Sequence, residues 1–116
     1  MYNLCVLRFV TVPSQPPSDV THVTSDDSVM FPWEEVPCGS RGGLIHSYEY
    51  KLSSNGNVVE SGNIPSPTQQ VTLDRPSCGS YMFEVAALND DGMSDYAAIP
   101  YDVIDIGRSM LIVNTG

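Results

Sequence analysis

The sequence predicts an all-β fold, a seven-stranded antiparallel sandwich. Three observations carry this. Apolar residues alternate with period two in several short runs, clearest at Tyr81, Phe83, Val85 and Ala87, which places them on one face of a strand. Nine Gly and nine Pro are spread along 116 residues, punctuation that suits many short strands joined by turns. No window repeats apolar residues at i, i+3, i+4 and i+7, so little or no helix is expected.

Thr11–Pro17, TVPSQPP, reads as a stiff extended entry, because three prolines exclude helix. Asp19–Thr24 is a first strand candidate with β-branched residues. Ser25–Ser28, SDDS, is a turn by composition. Val29, Phe31 and Trp33 then share one face of a second strand, and Trp33 is the single tryptophan. Glu34–Gly43 is a loop. Ile45–Leu52 follows as a strand with Tyr48, Tyr50 and Leu52 inward and Glu49 and Lys51 outward.

The Asn-Gly pair in Ser53–Asn57 is a strong hairpin signal, returning the chain as Val58–Ser61. Gly62–Pro67 reads as a bend, Gln70–Leu73 as a strand, and Asp74–Ser80 as a turn. After the Tyr81 strand comes a turn at Asn89–Gly92. A last strand spans Ser94–Val103 and is expected to break at Pro100. Ile104–Gly116 has no assignment beyond an apolar Met110–Val113 that is able to extend a strand.

At this length one domain with short extensions is expected, and 41% apolar residues suffice for one core. Five Lys+Arg against fourteen Asp+Glu give a formal charge of −9. That argues against nucleic acid, whose phosphates require a basic face, and against an anionic membrane surface. Its simplest consequence is solubility. No apolar run approaches the ~20 residues of a membrane span, so membrane insertion is not expected. Met1–Val12 is apolar but carries Arg8 and lacks signal-peptide features. It reads as the end of a preceding segment or a strand remnant.

In order and spacing these residues resemble a fibronectin type III domain, from Pro16 to about Val103. The resemblance rests on the Pro-rich entry PSQPPSDV, Trp33 followed by EEVP, the GGLIHSYEYKL stretch, Leu73 before the Tyr81 strand, and ALNDDGMSDY. It implies an immunoglobulin-like sandwich over residues 16–104. Residues 1–15 are then a leader, linker or end of a preceding segment, and residues 105–116 a tail. It also implies Trp33 between the sheets, Tyr81 as a corner tyrosine bonded to nearby backbone, and a tight turn at Gly92. Two features depart from the pattern. Pro32 falls in a strand that should be central, so the first strand must peel away there or the second must bulge. The Leu73-to-Tyr81 spacing exceeds the family's usual one, which leaves that corner's register open.

Cys5, Cys38 and Cys78 allow one disulfide with a spare thiol, or three free thiols, and no C-x-x-C marks a zinc site. The resemblance puts Cys38 and Cys78 at opposite ends of the sandwich, a strand length of about 17–20 Å apart. A disulfide needs Cα atoms within about 7 Å. Unpaired cysteines or pairing with a neighbouring domain are therefore expected; Cys5 with Cys38, and Cys38 with Cys78 if the irregular corner departs from the family, stay open.

His22 and His46 read as surface or edge histidines, and no nucleophile elbow, phosphate loop or H-E-x-x-H occurs. No enzyme activity, cofactor or metal centre is implied. Glu34, Glu35, Asp90, Asp91 and Asp95 are expected at one end of the sandwich, as a solvated rim or, alternatively, a calcium site. With Arg41 they form the candidate partner-binding loops. Neither Arg-Gly-Asp nor a glycosylation sequon is present. The resemblance implies a non-catalytic interaction or spacer module of a cell-surface receptor or adhesion protein. PCGSRGGLIHSYEYKL most resembles the domains of receptor-type tyrosine phosphatases and cell-adhesion proteins. Protein partners and neighbouring domains are expected. The alternatives are a structural module of an intracellular cytoskeletal protein and an accessory domain of a secreted enzyme.

Overall fold

A computed structural model of the chain describes residues 11–104. They form two antiparallel sheets packed face to face. The smaller holds β1 (Val23–Thr24), β2 (Ser28–Pro32) and β5 (Gln70–Asp74), in the order β1-β2-β5. The larger holds β3 (Ser47–Ser54), β4 (Asn57–Pro65), β6 (Gly79–Asn89), β7 (Gly92–Met93) and β8 (Ala97–Val103). Here β4, β3 and β6 are consecutive neighbours, and β7 and β8 share the far edge of β6. The expected last strand is thus two segments on one edge, giving seven strand positions.

The break falls at Ser94–Tyr96, not at Pro100. Ser94 is buried; its Oγ accepts a hydrogen bond from the Ala87 amide at 2.9 Å and donates to the Asp95 carbonyl at 2.8 Å. A side chain therefore replaces ladder contacts between β7 and β8. Pro100 is tolerated because β8 pairs on one side only, opposite Met82.

Two other elements change their bounds. β4 runs on through the expected bend to Pro65, paired with β3 down to Ser47. Its bulge at Leu52/Ser53 follows the hairpin, where Asn55 and Gly56 take φ of 54° and 81°, the left-handed pair that a two-residue turn requires. The first strand shrinks to two residues. Pro32 explains this. Thr21 N–H donates to the Pro32 carbonyl at 3.1 Å, so the nitrogen of Pro32 also faces β1. With no proton to offer there, the ladder stops, and Ser18 and Glu34 resume it as an isolated bridge. The first strand has peeled away; β2 keeps an unbroken register with β5, Ser28↔Asp74 to Pro32↔Gln70.

The core follows the alternation. Val29, Phe31, Leu52, Phe83 and Val85 are essentially inaccessible. Phe31 and Phe83 stack across the sheets with centroids 4.0 Å apart, and Tyr101 meets Phe31 edge-on at 5.3 Å. Trp33 contacts Tyr48 in a T-shape at 5.2 Å. At the other end Tyr81 donates its hydroxyl to the Ser77 carbonyl at 2.7 Å, the corner arrangement that the resemblance implied.

The pairings put the 33–46 and 90–96 segments and the linker at one end, and the Cys78 turn at the other. Cys78 is an exposed free thiol. The expectations for Cys5, for Met1–Val10 and for Met110–Val113 lie outside the described residues.

Candidate functional site

The loop after β2 is tied to itself. Val36 is fully buried as an anchor, and a 3-10 turn spans Cys38–Ser40. Arg41 Nε donates to the Val36 carbonyl at 2.8 Å while its guanidinium pairs with the Glu35 carboxylate. Loops carry binding on a rigid scaffold, and this ion pair holds one in shape. It sits on a shallow cavity of about 210 Å³ lined by Glu35, Arg41, Leu44, Ile45, Tyr48, Ser66 and Pro67. Leu44 is 86% exposed beside it. The Tyr48 phenol is pushed above its usual range, first by burial and then by Glu35, with Arg41 and the Trp33 indole opposing. The Trp33 N–H is buried and, among the described residues, falls outside hydrogen-bond geometry with any partner. Tyr48 thus stays a neutral wall of the cavity.

The candidate residues are not gathered into one site. Glu35 and Arg41 meet. Glu34 contributes its backbone to the Ser18 bridge and leaves its side chain in solvent. Asp90 is almost fully exposed and lies 3.9 Å from His46 Nε2. Asp91 and Asp95 are exposed too. Among the described residues no three His, Cys, Asp or Glu side chains converge on a common ion position.

Sequence reasoning passed over two positions. Asn89, inside the quoted ALNDDG motif, is 3% exposed. Its Nδ2 donates to the Thr11 carbonyl at 2.6 Å and the Arg41 carbonyl at 2.9 Å, and its Oδ1 accepts from the amides of Asp91 at 2.8 Å and Gly92 at 3.1 Å. Tyr96 lies on the outer face of the larger sheet, bonded to Glu49 Oε2 at 2.5 Å with Lys51 Nζ 4.5 Å from its ring centroid. Burial, then Glu49, pushes its phenol up to about 12. Ala86, which pairs with Glu49, is fully buried although it points outward, consistent with this cover.

The architecture is shared with solved structures. A mutant FN3tt structure superposes with a TM-score of 0.62 over 79% of this chain and 97% of that one, at 19% identity. The chain folds as a fibronectin type III domain. Domains d3–d4 of the rat CD45 extracellular region give 0.65 over 78% of this chain and 51% of that one, also at 19% identity. In sequence, the chain is 28% identical to mouse Roundabout homolog 4 and 27% identical to the rat protein over 95 residues, 80% of the chain. It spans about a tenth of the length of these relatives, 9% and 10%. No protein-family model matches the chain.

Proposed function

We propose that this domain is a non-catalytic interaction and spacing module of a cell-surface receptor or adhesion protein. The observation that carries the reading is the match to Roundabout homolog 4 along 80% of the chain. The likeness to the CD45 extracellular region supports the same setting. The contact surface we assign is the cavity beside Leu44. It joins an exposed apolar residue to the fixed Glu35–Arg41 pair, an apolar anchor with a polar rim as protein interfaces use.

Two experiments test this. An epitope-tagged full-length protein should stain on unpermeabilised cells. A fluorescent tetramer of residues 11–104, screened against receptor ectodomains, should find a binder that Leu44→Asp weakens about tenfold or more, the effect of losing one buried anchor. Binding indifferent to Leu44→Asp and to Arg41→Glu rejects the assigned surface. The exposed thiol of Cys78 favours a second reading, an intracellular structural module, because free thiols persist in reducing compartments. Staining that appears only after permeabilisation would select it.

A further inference from the structure

The end of the sandwich that carries the candidate loops is already occupied. Thr11 N–H donates to the Gly42 carbonyl at 2.8 Å, and Ser14 N–H donates to the Ser40 carbonyl at 2.8 Å. From the other side the Asn89 amide holds the Thr11 carbonyl. Two glycines make the room. A Cβ at Gly42 would stand 2.2 Å from the Thr11 carbonyl oxygen, and one at Gly92 would stand 2.7 Å from Val12 Cγ1. Both also take positive φ, 67° and 146°. Pro13 and Pro17 are buried against the body.

We propose that the slot between Gly42, Asn89 and Gly92 is a docking site for an extended segment, filled in cis by Thr11–Ser14. The slot recognises backbone more than side chain. It offers two carbonyls to amides, one primary amide to a carbonyl, and no Cβ where the segment passes. These are the terms on which an added strand is recognised. The folded unit then takes in Thr11–Gln15, ahead of residue 16. The path of the chain from Thr11 to Ser14 is then set by the body of the domain. The docked segment also covers the inner side of the loops, so a partner approaches Leu44 from the flank.

NMR on the 116-residue chain tests this. The Thr11 and Ser14 amides should exchange with deuterium at least about tenfold more slowly than in an unstructured chain, as two hydrogen-bonded amides must. The heteronuclear NOEs of Val12 and Gln15 should match those of β3 and β6. The double variant Thr11→Pro/Ser14→Pro removes both donors without touching the sandwich. It should collapse the Val12 and Gln15 NOEs while β6 keeps its values. Asn89→Ala should speed exchange at Thr11. Unprotected Thr11 and Ser14 amides in the unaltered chain, or NOEs that survive the double proline variant, would overturn the proposal.

Discussion

Asn89 offers a sharp quantitative prediction because two substitutions remove different halves of what it does. Its four hydrogen bonds join the linker, the loop after β2 and the turn after β6. Asn89→Ala deletes all of them. At about 1 kcal/mol net per bond the ceiling is about 4 kcal/mol. The Asp91 side of the turn is exposed, so water recovers part of this, and a loss of about 2 kcal/mol is expected. Asn89→Asp keeps the acceptor for the Asp91 and Gly92 amides. It replaces the donor with a carboxylate oxygen facing the carbonyls of Thr11 and Arg41. Burial and those two dipoles disfavour the ionised form, so its folded pKa rises above the unfolded ~3.9. The sign follows: the folded state holds the proton more tightly, so stability falls as pH rises through that interval. At pH 7 Asn89→Asp should be less stable than Asn89→Ala, and the gap should close as pH falls towards the folded pKa. Urea unfolding, followed by fluorescence of the buried Trp33, reads both variants. An alanine variant within about 0.5 kcal/mol of the parent, the usual range for an unimportant surface site, would refute the reasoning. So would an aspartate variant with no pH trend.

Phe31→Ala should cost about 3–5 kcal/mol in the same assay, because Phe31 is fully buried and stacked on Phe83; a loss under about 1 kcal/mol would mean that the two sheets collapse to fill the space. Tyr81→Phe should cost about 1 kcal/mol, the net worth of its bond to the Ser77 carbonyl, and leave the near-ultraviolet circular dichroism of the core unchanged. Tyr96 should titrate near 12 by ultraviolet absorbance. Its raised value means that its stabilising contribution is intact below the unfolded value of 10.0 and is lost as pH rises towards about 12. Glu49→Gln should lower that phenol's pKa, because it removes the neighbouring charge, and no change would exclude Glu49 as a cause.

The strands facing the core were legible because their signal is periodic: Val29, Phe31, Trp33 and the Tyr81 run could not alternate otherwise and still be buried. Tyr81 and the Asn55–Gly56 turn were legible because each needs a special local geometry. The end of β4 was not. Gly62 and Pro65 look like turn residues, yet Gly62 leaves room for the Tyr50 ring, since a Cβ would stand 2.9 Å from its hydroxyl oxygen, and Pro65 closes an edge strand. The break at Ser94 was hidden because its cause is a side-chain hydrogen bond across the sheet edge, while Pro100 advertised a break that an edge strand does not suffer. The candidate site was only half visible. Charge marked Glu35 and Arg41, but charge alone cannot tell a pair that closes from carboxylates that stay in solvent, such as Glu34, Asp91 and Asp95. Asn89 carries no charge and no periodicity; only the three chain segments that meet around it reveal it.

Pro32 has a bearing on how this sandwich avoids association. β1 holds only two residues, and it is joined to β2 by two pairs, Val23 with Met30 and Thr24 with Val29. When β1 lifts away, the outer row of β2 becomes an open edge, the usual template for adding a foreign strand. On that row Met30 still has an amide proton, but two positions on Pro32 has none. An incoming strand finds one good rung and then a gap beside the proline ring. The residue that shortens the first strand therefore also blunts the edge that the short strand exposes, and a loss of β1 would open onto a surface poorly suited to aggregation.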